Sequence, residues 1–143
     1  MQNVQYLSEA WFELNRQTTS EWSERLGVNC SANFVISEVS LDTDVLTGTD
    51  ALAHKVHYYL VVQDGRLAEM GAGKLTRTDV SINYKYYDAR AEIAAGDHPD
   101  LAYMSGRMKL EGDYARWIFG LRPLLDSAEY TAYRLALAQH TDF

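Results

Sequence analysis

The chain has 143 residues, 47% of them hydrophobic and 23% charged, with a formal net charge of −7. One domain of that length buries a proper core. The acidic balance excludes a phosphate-backbone partner and electrostatic docking on anionic lipid, both of which need a basic footprint. A single cysteine, Cys30, excludes a disulfide framework and a thiolate metal cluster. The opening MQNVQYLSEAWF lacks a basic segment followed by an apolar run, and no apolar stretch reaches membrane-spanning length, so a cytoplasmic setting is expected.

Ser8 has N-cap chemistry for a first helix carrying Trp11 and Leu14. Thr18-Thr19-Ser20-Glu21 has capping-box spacing, so a second helix to Gly27 is expected, with Trp22 and Leu26 on the core side. One longer helix is the competing reading. Phe34 to Leu41 is β-rich, Asp42 to Ala53 is polar and reads as a loop, and Val56 to Val62 is apolar on both faces, as in a strand inside a sheet. Asp64-Gly65 is a two-residue hairpin signal, so Arg66 to Met70 is the returning strand, broken by Gly71 and Gly73.

From Asp79 the alternation is strict: Val80, Ile82, Tyr84 and Tyr86 on one face, Asp79, Ser81, Asn83 and Lys85 on the other. Tyr87 to Ala95 is helical, with Gly96 as C-cap. After a small loop, Arg107 to Asp113 is a strand with Met108 and Leu110 inward. Tyr114, Trp117, Ile118, Leu121 and Leu125 follow helical spacing, with Pro123 kinking or ending the helix. Asp126-Ser127-Ala128-Glu129 starts a last helix to about Gln139. The expected fold is α+β: about five strands in one mostly antiparallel sheet, with helices on one face enclosing an apolar cavity.

Asp79-Val80, Ala95-Gly96, the string Met104-Ser105-Gly106-Arg107-Met108-Lys109-Leu110-Glu111-Gly112-Asp113, and Leu124-Leu125 together resemble the sterol carrier protein type two family. Leu7-Ser8-Glu9-Ala10-Trp11 is similar to the opening of its bacterial members. The resemblance runs strongly from Asp79 to Leu125. It implies a single domain over residues 1–143 with a hydrophobic tunnel between sheet and C-terminal helices, and fatty acids, acyl-CoA, sterols or other apolar molecules as ligands. Trp117 and Phe119 are bulkier than the residues usual in that helix.

Other motifs fail on spacing. His54 and His57 are an odd number apart, which places them on opposite strand faces. Asp42-x-Asp44 has Thr47 and Ala53 where a calcium loop needs Gly and Glu. Gly71-x-Gly73 lacks the rest of a dinucleotide fingerprint, and Tyr103 occupies the Gly position of a nucleophile elbow around Ser105. Cys30 reads as structural. Glu111 and Asp113 read as a solvated edge. No metal and no cofactor is expected.

Aromatic residues are numerous: ten Tyr and three Trp. The expected ligand-binding residues are Tyr84, Tyr86, Met104, Met108, Leu110, Trp117, Ile118, Leu121, Leu125, Tyr130 and Tyr133, with tyrosine hydroxyls orienting an apolar ligand. The leading expectation is a non-catalytic binder or carrier of a hydrophobic small molecule. A pathway enzyme reusing the cavity (a cyclase, isomerase or hydrolase) is the second reading. An accessory protein docking on a partner enzyme through the Asp42 to Ala53 loop is the third.

Overall fold

A computed structural model describes residues 2–39, 49–50 and 54–143. Short strand β1 (Val4–Gln5) leads into helix α1 (Glu9–Thr19), whose N-cap Ser8 accepts from the Trp11 N–H. The expected second helix does not form. The Thr18 and Thr19 hydroxyls bond back to the Leu14 and Asn15 carbonyls, so they close the last turn of α1 instead of capping a new one. Trp22 is buried as expected, but Leu26 is 79% exposed.

The main sheet is built from β2 (Cys30–Ser37), β4 (Lys55–Gln63), β5 (Arg66–Ala72), β6 (Val80–Lys85) and β7 (Lys109–Gly112), in the order β5-β4-β2-β6-β7. All neighbours are antiparallel except β2 and β6. The two-residue β3 (Thr49–Asp50) pairs with Val56 and Lys55 of β4, so a strand lies within the expected loop; the rest of Asp42 to Ala53 lies outside the described residues. The β2 strand starts at Cys30, four residues before the expected Phe34. Its alternation is complete, with Cys30, Ala32, Phe34 and Ile36 buried and the residues between them half-buried.

The hairpin falls at Asp64-Gly65, both at positive φ as a type I′ turn requires. Gly71 does not break β5. It lies inside the strand beneath Tyr59, whose hydroxyl would sit 3.0 Å from an added Cβ. Gly73 ends it.

Helix α2 (Tyr86–Ala95) starts directly from β6, so Tyr86 is its first residue and not a strand residue. Gly96 is left-handed, and its N–H returns to the Glu92 and Ile93 carbonyls, as the sequence predicts. The expected loop contains a helix, α3 (Pro99–Met104), with proline in its first turn and the His98 ring accepting from the Asp100 N–H. At six residues it shows no apolar period to read.

The expected apolar helix from Tyr114 is a π-turn, Arg116–Gly120, followed by the short α4 (Arg122–Leu125). Widening the turn shifts the helical phase. Trp117 faces the core, while Tyr114 and Phe119 are exposed. Pro123 falls in the first turn of α4, where a missing N–H costs nothing. Arg122 holds α4 to α3 through a two-pronged bond to Asp100, at 2.7 and 3.0 Å. Helix α5 (Ala128–His140), capped by Ser127, passes into β8 (Thr141–Asp142), which pairs in parallel with β1.

The observed class is α+β, with helices over the buried sheet face. Two ties fix the sheet. Asp79 accepts from the Ser31 N–H and hydroxyl, and its own N–H donates to Ser31 Oγ. Gly112 sits at φ +95 against Asp79, where an added Cβ would lie 2.6 Å from the Asp79 carbonyl oxygen. Gly112→Ala is therefore expected to cost roughly 1–3 kcal/mol or more, because backbone strain and backbone collision add. A urea midpoint unchanged from the parent would contradict this packing.

Candidate functional site

Between sheet and helices lies a cavity of about 110 Å³. Phe34, Tyr58, Leu60, Met70 and Tyr84 form its sheet wall, and Ala89, Glu92, Ile93 and Gly96 its α2 wall. Those α2 positions follow the i, i+3, i+4, i+7 stripe of one helix face. Tyr6 and Trp11 close one side, while Met108, Trp117 and the α5 residues Tyr130, Tyr133, Arg134 and Leu137 complete it. A second cavity of about 40 Å³ adjoins it, lined by Leu121, Leu124, Leu125 and Trp22. The two share Leu60, Met70, Trp117, Tyr130 and Tyr133, so Trp117 and the tyrosines stand between them.

Of the expected site residues, Tyr84, Met108, Trp117, Tyr130 and Tyr133 line the larger cavity, and Leu121 and Leu125 line the smaller. Four do not line either. Met104 ends α3 and is 82% exposed. Tyr86 leaves the strand and stacks on Tyr6, ring centroids 5.9 Å apart. Leu110 pairs opposite Ile82 and packs half-buried against the core. Ile118 is turned partly outward by the π-turn.

Sequence reasoning missed Tyr6, Trp11, Phe34, Tyr58 and Glu92. Most are distant in sequence and meet only through the sheet. Phe34 and Tyr58 are opposite one another in the β2–β4 register, and their rings stack 4.6 Å apart. Glu92 did carry a signal: it is a carboxylate inside the Ala89–Ile93–Gly96 apolar stripe.

Glu92 is the unusual group. Tyr84 donates its hydroxyl to Glu92 Oε2 at 2.6 Å, while the buried Oε1 has no hydrogen-bond partner. Burial pushes the carboxyl up to about 7; the Tyr84 hydrogen bond opposes this, Asp97 adds to it, and Arg107 and Arg134 oppose it. The hydroxyls of Tyr6, Tyr58, Tyr84, Tyr130 and Tyr133 are raised above the usual phenol range by burial, and the Glu92 charge contributes in each case. Five neutral phenols therefore surround one carboxyl. Tyr133 is held by α1: its hydroxyl donates to Asn15 Oδ1 at 2.5 Å, and Asn15 Nδ2 donates to the Trp11 carbonyl. Tyr6 Oη and Trp11 Nε1 are buried without a partner.

Elsewhere, burial and Asp79 push the Cys30 thiol up to about 12, which makes it a poor nucleophile. Among the described residues, no group of three or more His, Cys, Asp or Glu is arranged to hold a metal ion, and no helix is long and apolar enough to cross a membrane.

No family model and no curated protein sequence matches the chain. Solved structures do. The crystal structure of sterol carrier protein 2 superimposes with a TM-score of 0.63 over 95% of this chain and 99% of that one, at 14% identity. A conserved hypothetical protein from Thermus thermophilus gives a TM-score of 0.55 over 100% of this chain and 94% of that one, at 15% identity. With both partners covered almost end to end, this chain has the sterol carrier protein 2 fold.

Proposed function

We propose that the protein binds, and in doing so can carry, a hydrophobic small molecule in the cavity beneath α5. The observation that carries this reading is an aromatic and aliphatic pocket between sheet and helices, with a few polar groups converging on it. Burial of ligand surface would supply the affinity, at roughly 25 cal/mol per Å² before ordering costs. At about 110 Å³ the cavity is smaller than the usual range for drug-sized ligands. As it stands it suits a single ring or a short chain. A polycyclic or long-chain ligand would need Trp117 to swing aside and join the two cavities.

A polycyclic fluorophore titrated into the protein tests this. Trp117→Ala is expected to strengthen its binding by about tenfold, since the ring that separates the two cavities is gone. The exposed-site control Lys109→Ala should bind like the parent. Equal binding by all three would move the site elsewhere.

One observation favours the enzyme reading: a carboxyl raised to about 7 inside a cavity is suited to proton transfer near neutrality. Turnover of a bound ligand, lost in Glu92→Gln while binding persists, would decide for it.

A further inference from the structure

The cavity wall is mostly apolar, with a few polar side chains set into it. Glu92 Oε1, Tyr6 Oη and Trp11 Nε1 are all buried and unpartnered in that wall, as is Arg134 Nε. Buried polar atoms without partners are costly, so an orphaned group invites a ligand that satisfies it. The first three belong to three different segments: α2, the chain before α1, and α1. Tyr6 and Trp11 are in edge-to-face contact, centroids 4.9 Å apart, and the field of the Glu92 carboxyl reaches Tyr6.

Their chemistry is complementary to one group. An ionised carboxylate only accepts, an indole N–H only donates, and a phenol does either. A ligand atom between them must donate once and accept at least once, which is what a hydroxyl does. Deepening the reading above, and resting on it, we propose that Glu92, Tyr6 and Trp11 form a polar subsite that takes the hydroxyl end of an otherwise apolar ligand. Glu92 Oε1 accepts the ligand O–H, and Tyr6 and Trp11 donate to the ligand oxygen.

The charges around Glu92 decide against the other polar heads. Arg134 lies along the cavity, with one nitrogen donating to the Gly96 carbonyl at 2.6 Å and its guanidinium 5.8 Å from the Tyr130 ring centre. Arg107 also acts on Glu92, so an ammonium would meet two positive charges. A carboxylate has the unpartnered Arg134 Nε to pair with, but it would meet the Glu92 charge, to which Asp97 adds. Tyr58, Tyr84, Tyr130 and Tyr133 are neutral and favour neither.

The test uses 1-hexanol and hexanoate, matched chains short enough for the cavity. Each is titrated into isotope-labelled protein at about pH 8, where a carboxyl with a pKa near 7 is ionised. The Trp11 indole N–H resonance is the readout. We expect 1-hexanol to shift it saturably and to bind about tenfold more tightly than hexanoate. Glu92→Gln should bring the two within about twofold, and Tyr6→Phe should weaken 1-hexanol several-fold. A parent that binds hexanoate as well as or better than 1-hexanol overturns the proposal; loss of that binding in Arg134→Gln would assign the polar end to Arg134 instead. A preference that survives Glu92→Gln also overturns it. If neither small probe binds while the polycyclic fluorophore does, the subsite is wrong and the cavity reading stands. If the fluorophore fails too, both fall.

Discussion

Replacing Trp11 with alanine is expected to destabilise the protein by about 3–5 kcal/mol, the usual cost of truncating a buried indole. Trp11 is 2% exposed and meets Tyr6, Phe12 and Tyr58 at ring-centroid distances of 4.9 to 5.6 Å. Its removal opens a void against an existing cavity, so the surrounding side chains have little to collapse onto. Set against a typical total of about 5–15 kcal/mol, this is a large share. The midpoint of thermal unfolding should fall by on the order of 10 °C. A fall of only a degree or two would mean that the N-terminal segment and α1 are less tightly docked than the ring contacts imply. Glu13→Ala, on the exposed side of the same helix, is the control.

The second large effect is a pH dependence of stability. The Glu92 carboxyl has its pKa raised from 4.5 to about 7 by burial. A native group that holds its proton more tightly than the unfolded chain gives full stability below 4.5. That stability is lost as the pH rises through about 7, because the native state binds more protons throughout the window. The full difference is roughly 3 kcal/mol at most. Glu92→Gln cannot ionise. It should match the parent near pH 4 and exceed it by about 1–3 kcal/mol near pH 8, read from urea midpoints at several pH values. A gap that does not widen between those values would show that Glu92 does not titrate there. The same variant serves the ligand experiment, so its stability profile is measured on the protein already in use.

Much of the fold was legible because local rules and the final packing agree. The Ser8 and Ser127 caps, the Asp64-Gly65 hairpin, the Gly96 helix end and the alternation from Val80 to Tyr84 each depend on a few adjacent residues. Period and turn chemistry therefore dictated them. The resemblance carried by Asp79 to Leu125 pointed to the architecture that the solved structures then matched.

The errors have physical causes of the opposite kind. Thr18 and Thr19 had two uses for their hydroxyls, and the end of α1 claimed them. The π-turn at Arg116–Gly120 changes the phase of a helix without any proline or glycine inside its first four residues to announce it. Trp117 is buried as expected, but Tyr114, just before the turn, is exposed and Ile118 within it is only partly buried.

The cavity divides along the same line. Sequence alone determined that Tyr84, Met108 and Trp117 point inward, since alternation and helical spacing set the side of each element. Tertiary structure decided what they face. Strand register set Phe34 on Tyr58, α1 and the segment before it brought Trp11 and Tyr6 to the cavity wall, and α2 carried Glu92 into an apolar wall. A carboxylate in a helix reads as solvated until the neighbours that remove its water are known. Those neighbours come from other, distant segments of the chain, so only the assembled fold could show that Glu92 is buried and half satisfied.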